Sequence, residues 1–255
     1  MMNKYFTVTV KPDILAARQH TAAFAANDVL FDWTGFSMPK GANRLVGITM
    51  LVRGTDGAAQ TVRDVNLFFA KTADNGKTQP SSIGTINSTA DGTGYQNQII
   101  MAAVVDNTDE KGGLDIMNVQ STGHGAAGNQ STFGVLEGER YSVSHDTTQI
   151  DPGKTKILVA ATTSGSLDFR SGMQLNESSL DAAEDATLTV DGVSALTALA
   201  VGDVLRAHDE AKIGEIKSIT DANTIVLKAA NTAAIANNDY IYNLNPITLI
   251  FSFER

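Results

Sequence analysis

Apolar residues in this chain come in short bursts, and the bursts have the period of a strand. Tyr5-Phe6-Thr7-Val8-Thr9-Val10 alternates aromatic or β-branched side chains with Thr and then meets Pro12. Thr224-Ile225-Val226-Leu227-Lys228 and Pro246-Ile247-Thr248-Leu249-Ile250-Phe251-Ser252-Phe253 have the same texture. Side chains two apart on a strand share a face, so each burst presents one apolar side to be buried. A chain of such segments has to pair them into sheets, because an unpaired strand leaves its backbone donors and acceptors unmet. Turn-forming clusters separate the bursts: Gly54-Thr55-Asp56-Gly57, Asp151-Pro152-Gly153, Asp191-Gly192, Glu210-Ala211 and Asp221-Ala222-Asn223.

Further strands are expected at Val29–Trp33, Arg44–Val52, Val62–Lys71, Ile99–Val105, Phe133–Leu136, Arg140–Ser144 and Lys156–Ala161. Arg44–Val52 is nearly continuous apolar, as a strand covered on both faces would be. Helix is confined to three short stretches. These are Pro12–Ala26, the Ala-rich Ala229–Ala236, and Ser178–Asp185, where a Ser-x-x-Asp/Glu cap pattern precedes Ala182-Ala183. After about residue 170 the strands become shorter and evenly spaced: 186–191, 201–205, 213–219, 224–228 and 238–242. Five such strands over roughly 70 residues suit a minimal barrel or sandwich domain. Pro246–Arg255 then returns to the longer style of strand. The expected fold is all-β. A jelly-roll-like β-sandwich spans 1–170 and is completed by 246–255 as a returning terminal strand, and a small β-barrel domain is inserted over 171–245.

Composition removes several function classes. The net charge is -9, so the chain repels a phosphate backbone; with no basic run, nucleic acid is not an expected partner. Cysteine is absent, which excludes disulfides, thiolate nucleophiles and Cys-bound zinc. No apolar run approaches the ~18 residues of a membrane-spanning helix. Met1–Val10 lacks the continuous apolar core of a signal peptide, and no membrane partner is expected. Charged residues are only 18%, which leaves a surface of Thr, Ser, Asn and Gly that is cheap to desolvate at protein contacts.

Each candidate for chemistry has a plainer reading. Gly123-His124-Gly125-Ala126-Ala127-Gly128 matches G-x-G-x-x-G by letter, but Phe133-Gly134-Val135 after it reads as strand, where a dinucleotide site needs a helix. Ser144-His145-Asp146 are chain neighbours, which alternate faces on a strand and do not make a triad. His20, His124 and His208 are isolated in sequence and read as surface residues. Asp106–Asp115 clusters carboxylates and glycines as a calcium loop does, but Lys111 stands where the EF-hand pattern needs Gly, so an acidic turn is the reading. Glu177, Asp181, Glu184 and Asp185 read as a helix cap. A glycosidase would pair carboxylates with an aromatic platform, and Trp 1 and Tyr 5 are few for a sugar cleft. No catalytic, cofactor-binding or metal residue is assigned, and no enzyme or cofactor is expected.

Two segments carry a resemblance. One is Phe31-Asp32-Trp33-Thr34-Gly35-Phe36-Ser37-Met38-Pro39 followed by Arg44-Leu45-Val46-Gly47-Ile48. The other is Val201-Gly202-Asp203-Val204 with Ile213–Ile219, Thr224–Leu227 and Asp239-Tyr240-Ile241-Tyr242. The chain resembles virion structural proteins of tailed, marine-type bacteriophages, and its second segment resembles small β-barrel modules inserted into phage head and tail proteins. The resemblance implies a capsid decoration or accessory protein that coats or stabilises the phage head. Its partners would be other copies of itself and capsid or tail proteins, and its place would be the virion, assembled in the host cytoplasm. The alternative is a tail or fibre component that binds a host receptor such as a glycan. Arg44–Val52 and Pro246–Phe253 would invite aggregation at an open sheet edge, so subunit contacts are expected to cover edges. The polar stretches Gly76–Gly94 and Ser121–Ser131 are the expected contact elements, removable without loss of the isolated fold.

Overall fold

Pairing determines which apolar strands become central. The computed structural model describes residues 5–55, 57–72, 79–91, 97–114, 117–122, 134–137, 154–170 and 172–255. The chain runs β1 (Tyr5–Val10), α1 (Ala16–Thr21), β2 (Val29–Pro39), β3 (Asn43–Arg53), β4 (Val65–Ala70), β5 (Ile99–Val105), β6 (Glu110–Leu114), β7 (Met117–Thr122) and β8 (Val135–Leu136). It continues through β9 (Lys154–Thr163), β10 (Gln174–Leu175), β11 (Thr187–Asp191), α2 (Ala195–Ala198), β12 (Val204–Ala207), β13 (Lys212–Ile219), β14 (Thr224–Leu227), β15 (Ile241–Asn243) and β16 (Ile247–Glu254).

One sheet has the order β1-β16-β3-β7-β6, with β8 paired to the start of β3; the other is β2-β9-β4-β5. Neighbouring strands in both are antiparallel. The last strand lies between the first and third, and β9 lies between the second and fourth. Eight strands, β1-β16-β3-β7 against β2-β9-β4-β5, thus make a jelly roll. The alternation read in the sequence supplies its core. Ile247, Leu249, Phe251 and Phe253 of β16 are buried, and the residues between them are half-buried. The Phe251 ring lies 5.2 Å from Phe36 of β2 and 5.3 Å from Phe69 of β4, so one side chain locks the two sheets together.

Two expectations change here. β3 is not covered on both faces: Leu45, Ile48, Met50 and Val52 are buried, while Val46, Thr49 and Leu51 are half-buried on the outer side. Nor is either long apolar strand at an edge, since β16 pairs with both β1 and β3, and β3 pairs with both β16 and β7. Their aggregation hazard is met within the sheet and needs no subunit contact.

Residues 174–243 form a second sheet system, β10-β11-β14-β13-β12-β15. A bridge between Gln174 and Tyr240, with Ile241 N donating to Met173 O at 3.0 Å, brings the two ends together, so the sheet is nearly a closed barrel. It has its own apolar core, including Leu188, Val190, Leu205, Ile213, Ile216 and Ile225. Gly192 (φ 82°) makes the turn after β11, and a Cβ there would run into the Gly172 carbonyl. The molecule is therefore an all-β jelly-roll sandwich with a small β-barrel inserted between its last two strands, β9 and β16.

Helix forms in only one of the three expected places, as α1 within 12–26. Ser178–Asp185 and Ala229–Ala236 are turns. The cause is Asn231, fully buried between them. Its Oδ1 accepts from Glu184 N and Asp185 N, and its Nδ2 donates to Asp181 O and Ala233 O. These bonds occupy backbone groups that a helix would pair internally. A Leu180–Ile235 bridge completes the link. The short α2 lies outside the expected stretches.

Candidate functional site

Several residues marked by sequence fall outside the described residues: the Gly123–Gly128 motif with His124, the expected strand Arg140–Ser144, His145-Asp146, and the side chains of 109–116 in the acidic loop. At the start of that loop Asp106 Oδ1 accepts from Thr108 N and from Thr108 Oγ1, each at 2.7 Å. These bonds hold the Asp106 carboxyl below its ordinary pKa. Asp64 Oδ1 accepts from Asn107 N at 2.7 Å. Both carboxylates cap a short 3₁₀ turn at Asn107–Asp109.

The second acidic cluster caps turns, not a helix. Glu177 Oε1 accepts from Thr189 N (2.8 Å), Glu184 Oε2 from Asp181 N (2.6 Å), and Asp185 Oδ1 from Thr187 N (2.8 Å). These three carboxylates bind backbone donors, while Asp181 takes part through its backbone N–H and C=O. Among the described residues no three acidic or histidine side chains are placed to hold a metal ion.

His20 and His208, isolated in sequence, meet in space. α1 carries His20 to the barrel, where its ring centroid is 5.6 Å from that of His208 and 6.2 Å from those of Tyr240 and Tyr242. His20 Nδ1 is 3.0 Å from Tyr242 Oη, and His208 Nδ1 is 3.5 Å from Asp239 Oδ1. Polar bonds tie the same junction more firmly. Buried Gln19 donates to Ile14 O and Asn243 O, and Ile14 N donates to Leu244 O at 2.9 Å. Arg53, at the end of β3, faces Asp203 of the barrel at 3.8 Å. Burial pushes the Asp203 carboxyl up, and Arg53, the Ala200 N–H and Lys11 offset part of that rise. The junction binds barrel to sandwich, and its pocket at Arg53, Met173 and Leu199 holds about 10 Å³, too little for a ligand.

A more open site lies on the sandwich beside α1. It is a groove of about 540 Å³ whose walls come from Lys11, Asp13, Arg18, the β2 residues Asp32 and Trp33, and Gly84–Ile86. Its walls are fixed by side-chain amides. Asn245 Nδ2 donates to Pro12 O (2.9 Å) and Asp13 Oδ1 (2.8 Å); Asn87 Nδ2 donates to Arg18 O (2.8 Å) and Ala22 O (2.7 Å). At the floor, Asp32 Oδ1 accepts from Ile83 N (3.1 Å), and Trp33 Nε1 donates to Ser81 O (2.7 Å). Gly84 has φ 141°, and a Cβ there would lie 3.1 Å from Asp91 N and 3.2 Å from a Val29 methyl, so the loop closes over β2 only with glycine.

The same contacts correct the expectation that Gly76–Gly94 is dispensable. Within its described part, 79–91, Ile83 is buried, Val29 N donates to Ser88 O, and Asn87 N donates to Val29 O, both at 2.9 Å. This segment is part of the sandwich. Sequence reasoning missed the groove because its residues are spread from Lys11 to Asn245. The available signal was the chain's one Trp, set next to Asp32 in a strand. Comparison of the sequence with protein-family models and with curated proteins finds no match in either.

Proposed function

We propose that the protein is a non-enzymatic virion structural subunit, a capsid-associated or decoration protein that coats or stabilises a phage head as many copies. The observation that carries this reading is the jelly roll with a second β-barrel inserted between its last two strands. Jelly rolls serve as capsid subunits and also as lectins, and a fold by itself does not assign a function. The disposition of the polar side chains adds support. Carboxylates of the described acidic clusters are engaged by backbone donors, and His20 is engaged by Tyr242, which supports a structural role for these groups. The low charge of the surface suits repeated protein contacts, where modest interfaces add up through multivalency.

The test is location and assembly state. Electron microscopy of particles with labelled protein is expected to place it on the shell, and light scattering of the purified chain to show a homo-oligomer. A chain that stays monomeric and sediments with neither heads nor tails overturns the reading. Label at the tail tip would instead establish the receptor-binding alternative, which the groove beside Trp33 favours.

A further inference from the structure

We infer, on the reading of the chain as a subunit present in many copies, that the open edge of β1 is where two copies pair. They join strand to strand and antiparallel, about a two-fold axis at Thr7.

β1 ends its sheet. It pairs with β16 on one side, and among the described residues no backbone bond joins it to any other segment. Its outer N–H and C=O groups are therefore a template for a further strand. The side chains mark where the edge is open. Phe6 and Val8 pack toward the core as Val10 does, yet both are only half-buried, while their β16 neighbours Phe253 and Phe251 are fully buried. Val10 is buried, so the open stretch is residues 5–9.

The other edges are covered or broken. Val29 of β2 is bonded to Ser88 and Asn87, and β2 slips twice against β9. β6 is interrupted by a register shift between Glu110 and Gly112, and on β5 Met101 Sδ accepts from Gly134 N at 3.2 Å. β10 and β15 meet through the Gln174–Tyr240 bridge. β1 has no proline, no charged residue and no bulge, the devices that blunt an edge.

The sequence of β1 selects the partner. An added strand must bring its apolar side chains to the core face, and a slip of one residue turns them outward. A copy of β1 centred on Thr7 meets this condition with the open residues alone. Phe6 then lies opposite the copy's Val8, Thr7 opposite the copy's Thr7, and Tyr5 opposite the copy's Thr9. Aromatic–β-branched and Thr–Thr pairs are among the stabilising cross-strand pairs. A centre at Val8 would require Val10, which is buried. An apolar hollow of about 410 Å³, lined by Tyr5, Phe6, Thr7, Val46, Ser252 and Phe253, runs beside the place the copy's Val8 and Thr9 take. Five residues a side make a small contact, of the transient class below about 1,200 Å². Repeated through an assembly, such contacts add up.

The chain has no cysteine, so a single introduced one reports alone. In the full chain, Thr7→Cys is expected to cross-link to a second copy with bismaleimidoethane, because the two sites face each other. Thr9→Cys, whose two sites stand about 14 Å apart along the strands, and Thr187→Cys, exposed on the barrel, are expected not to. Thr7→Lys sets two ammonium groups opposite each other and is expected to weaken self-association in sedimentation equilibrium about fivefold or more. Thr7→Glu is expected to do the same, and an equimolar mixture of the two variants to recover association, since Lys then faces Glu. Thr7 is exposed, so each variant should keep the thermal midpoint of the parent in dilute solution. A chain that self-associates equally well with Thr7→Lys and Thr7→Glu overturns the inference and leaves the multi-copy reading standing. Cross-linking at Thr9 or Thr187 as fast as at Thr7 also overturns it. A chain that stays monomeric at every concentration and does not cross-link at Thr7 overturns both.

Discussion

Asp203 is 7% exposed where the barrel meets the sandwich, and the sign of its effect on stability follows from its surroundings. Burial raises its pKa above the ordinary value, and Arg53 opposes this from 3.8 Å. An unfolded Asp titrates near about 4. Between that value and the raised one, the folded chain binds more protons than the unfolded chain. Stability tied to this group is therefore greatest below the window and falls as pH rises through it. Asp203→Asn should match the parent in urea unfolding near pH 4 and equal or exceed it at pH 7. A variant clearly less stable than the parent at pH 7 would contradict this assignment. Arg53→Met, which keeps the buried carboxylate and removes its partner, should cost about 1–3 kcal/mol at pH 7. Asp106 has the opposite sign. Its pKa is lowered by the two Thr108 donors, so its contribution is present above the ordinary Asp range and is lost as pH falls.

At the scale of elements, two side chains hold strands and turns in place. Phe251 on β16 is fully buried and touches the rings of Phe36 and Phe69, so Phe251→Ala should cost about 3–5 kcal/mol, read as a lower urea midpoint. Asn231 does the same for the barrel without apolar contact, through four hydrogen bonds to backbone groups of 181–185 and 233. Asn231→Ala strands the Asp185 N–H, leaves the Glu184 N–H only its longer bond to Asp181 O (3.3 Å), and should cost about 1–3 kcal/mol. An Ala variant with unchanged stability would mean that water takes over the bonds. The helix expected over 178–185 shows why a local pattern misled. The Ser-x-x-Asp/Glu spacing is present, but a residue some fifty positions away satisfies the same backbone groups and outcompetes a short helix.

At the scale of the molecule, the main sandwich core, among β1–β9 and β16, and the barrel core within 173–241 are separate clusters among the described residues. The barrel's entry and exit run side by side, with Leu175 N donating to Asp239 O and Ile241 N to Met173 O, both at 3.0 Å. An insert with adjacent ends and its own core can be excised with little loss. Residues 172–245 alone should give a β-type circular dichroism spectrum and a single cooperative melt. A random-coil spectrum would show that the barrel leans on Arg53, Gln19 and the rest of the junction for its fold.

Local sequence was sufficient for the strand class, the period of each burial face, the turns at Asp191-Gly192 and Asp221–Asn223, and the change of texture after about residue 170. Those properties depend on neighbours a few positions apart, since alternation and turn chemistry are set by backbone geometry over two to four residues. Tertiary structure alone decided that β16 lies between β1 and β3, which makes both long apolar strands interior. It also decided that His20 meets Tyr242 across 222 residues, and that Lys11, Arg18, Asp32 and Trp33 line one groove. Strand order is a choice among partners with similar alternating faces, made by the total fit of two sheets and not by any one segment. The groove is set further still from local pattern, because its walls are held by Asn87 and Asn245, whose amides bind backbone far away in sequence.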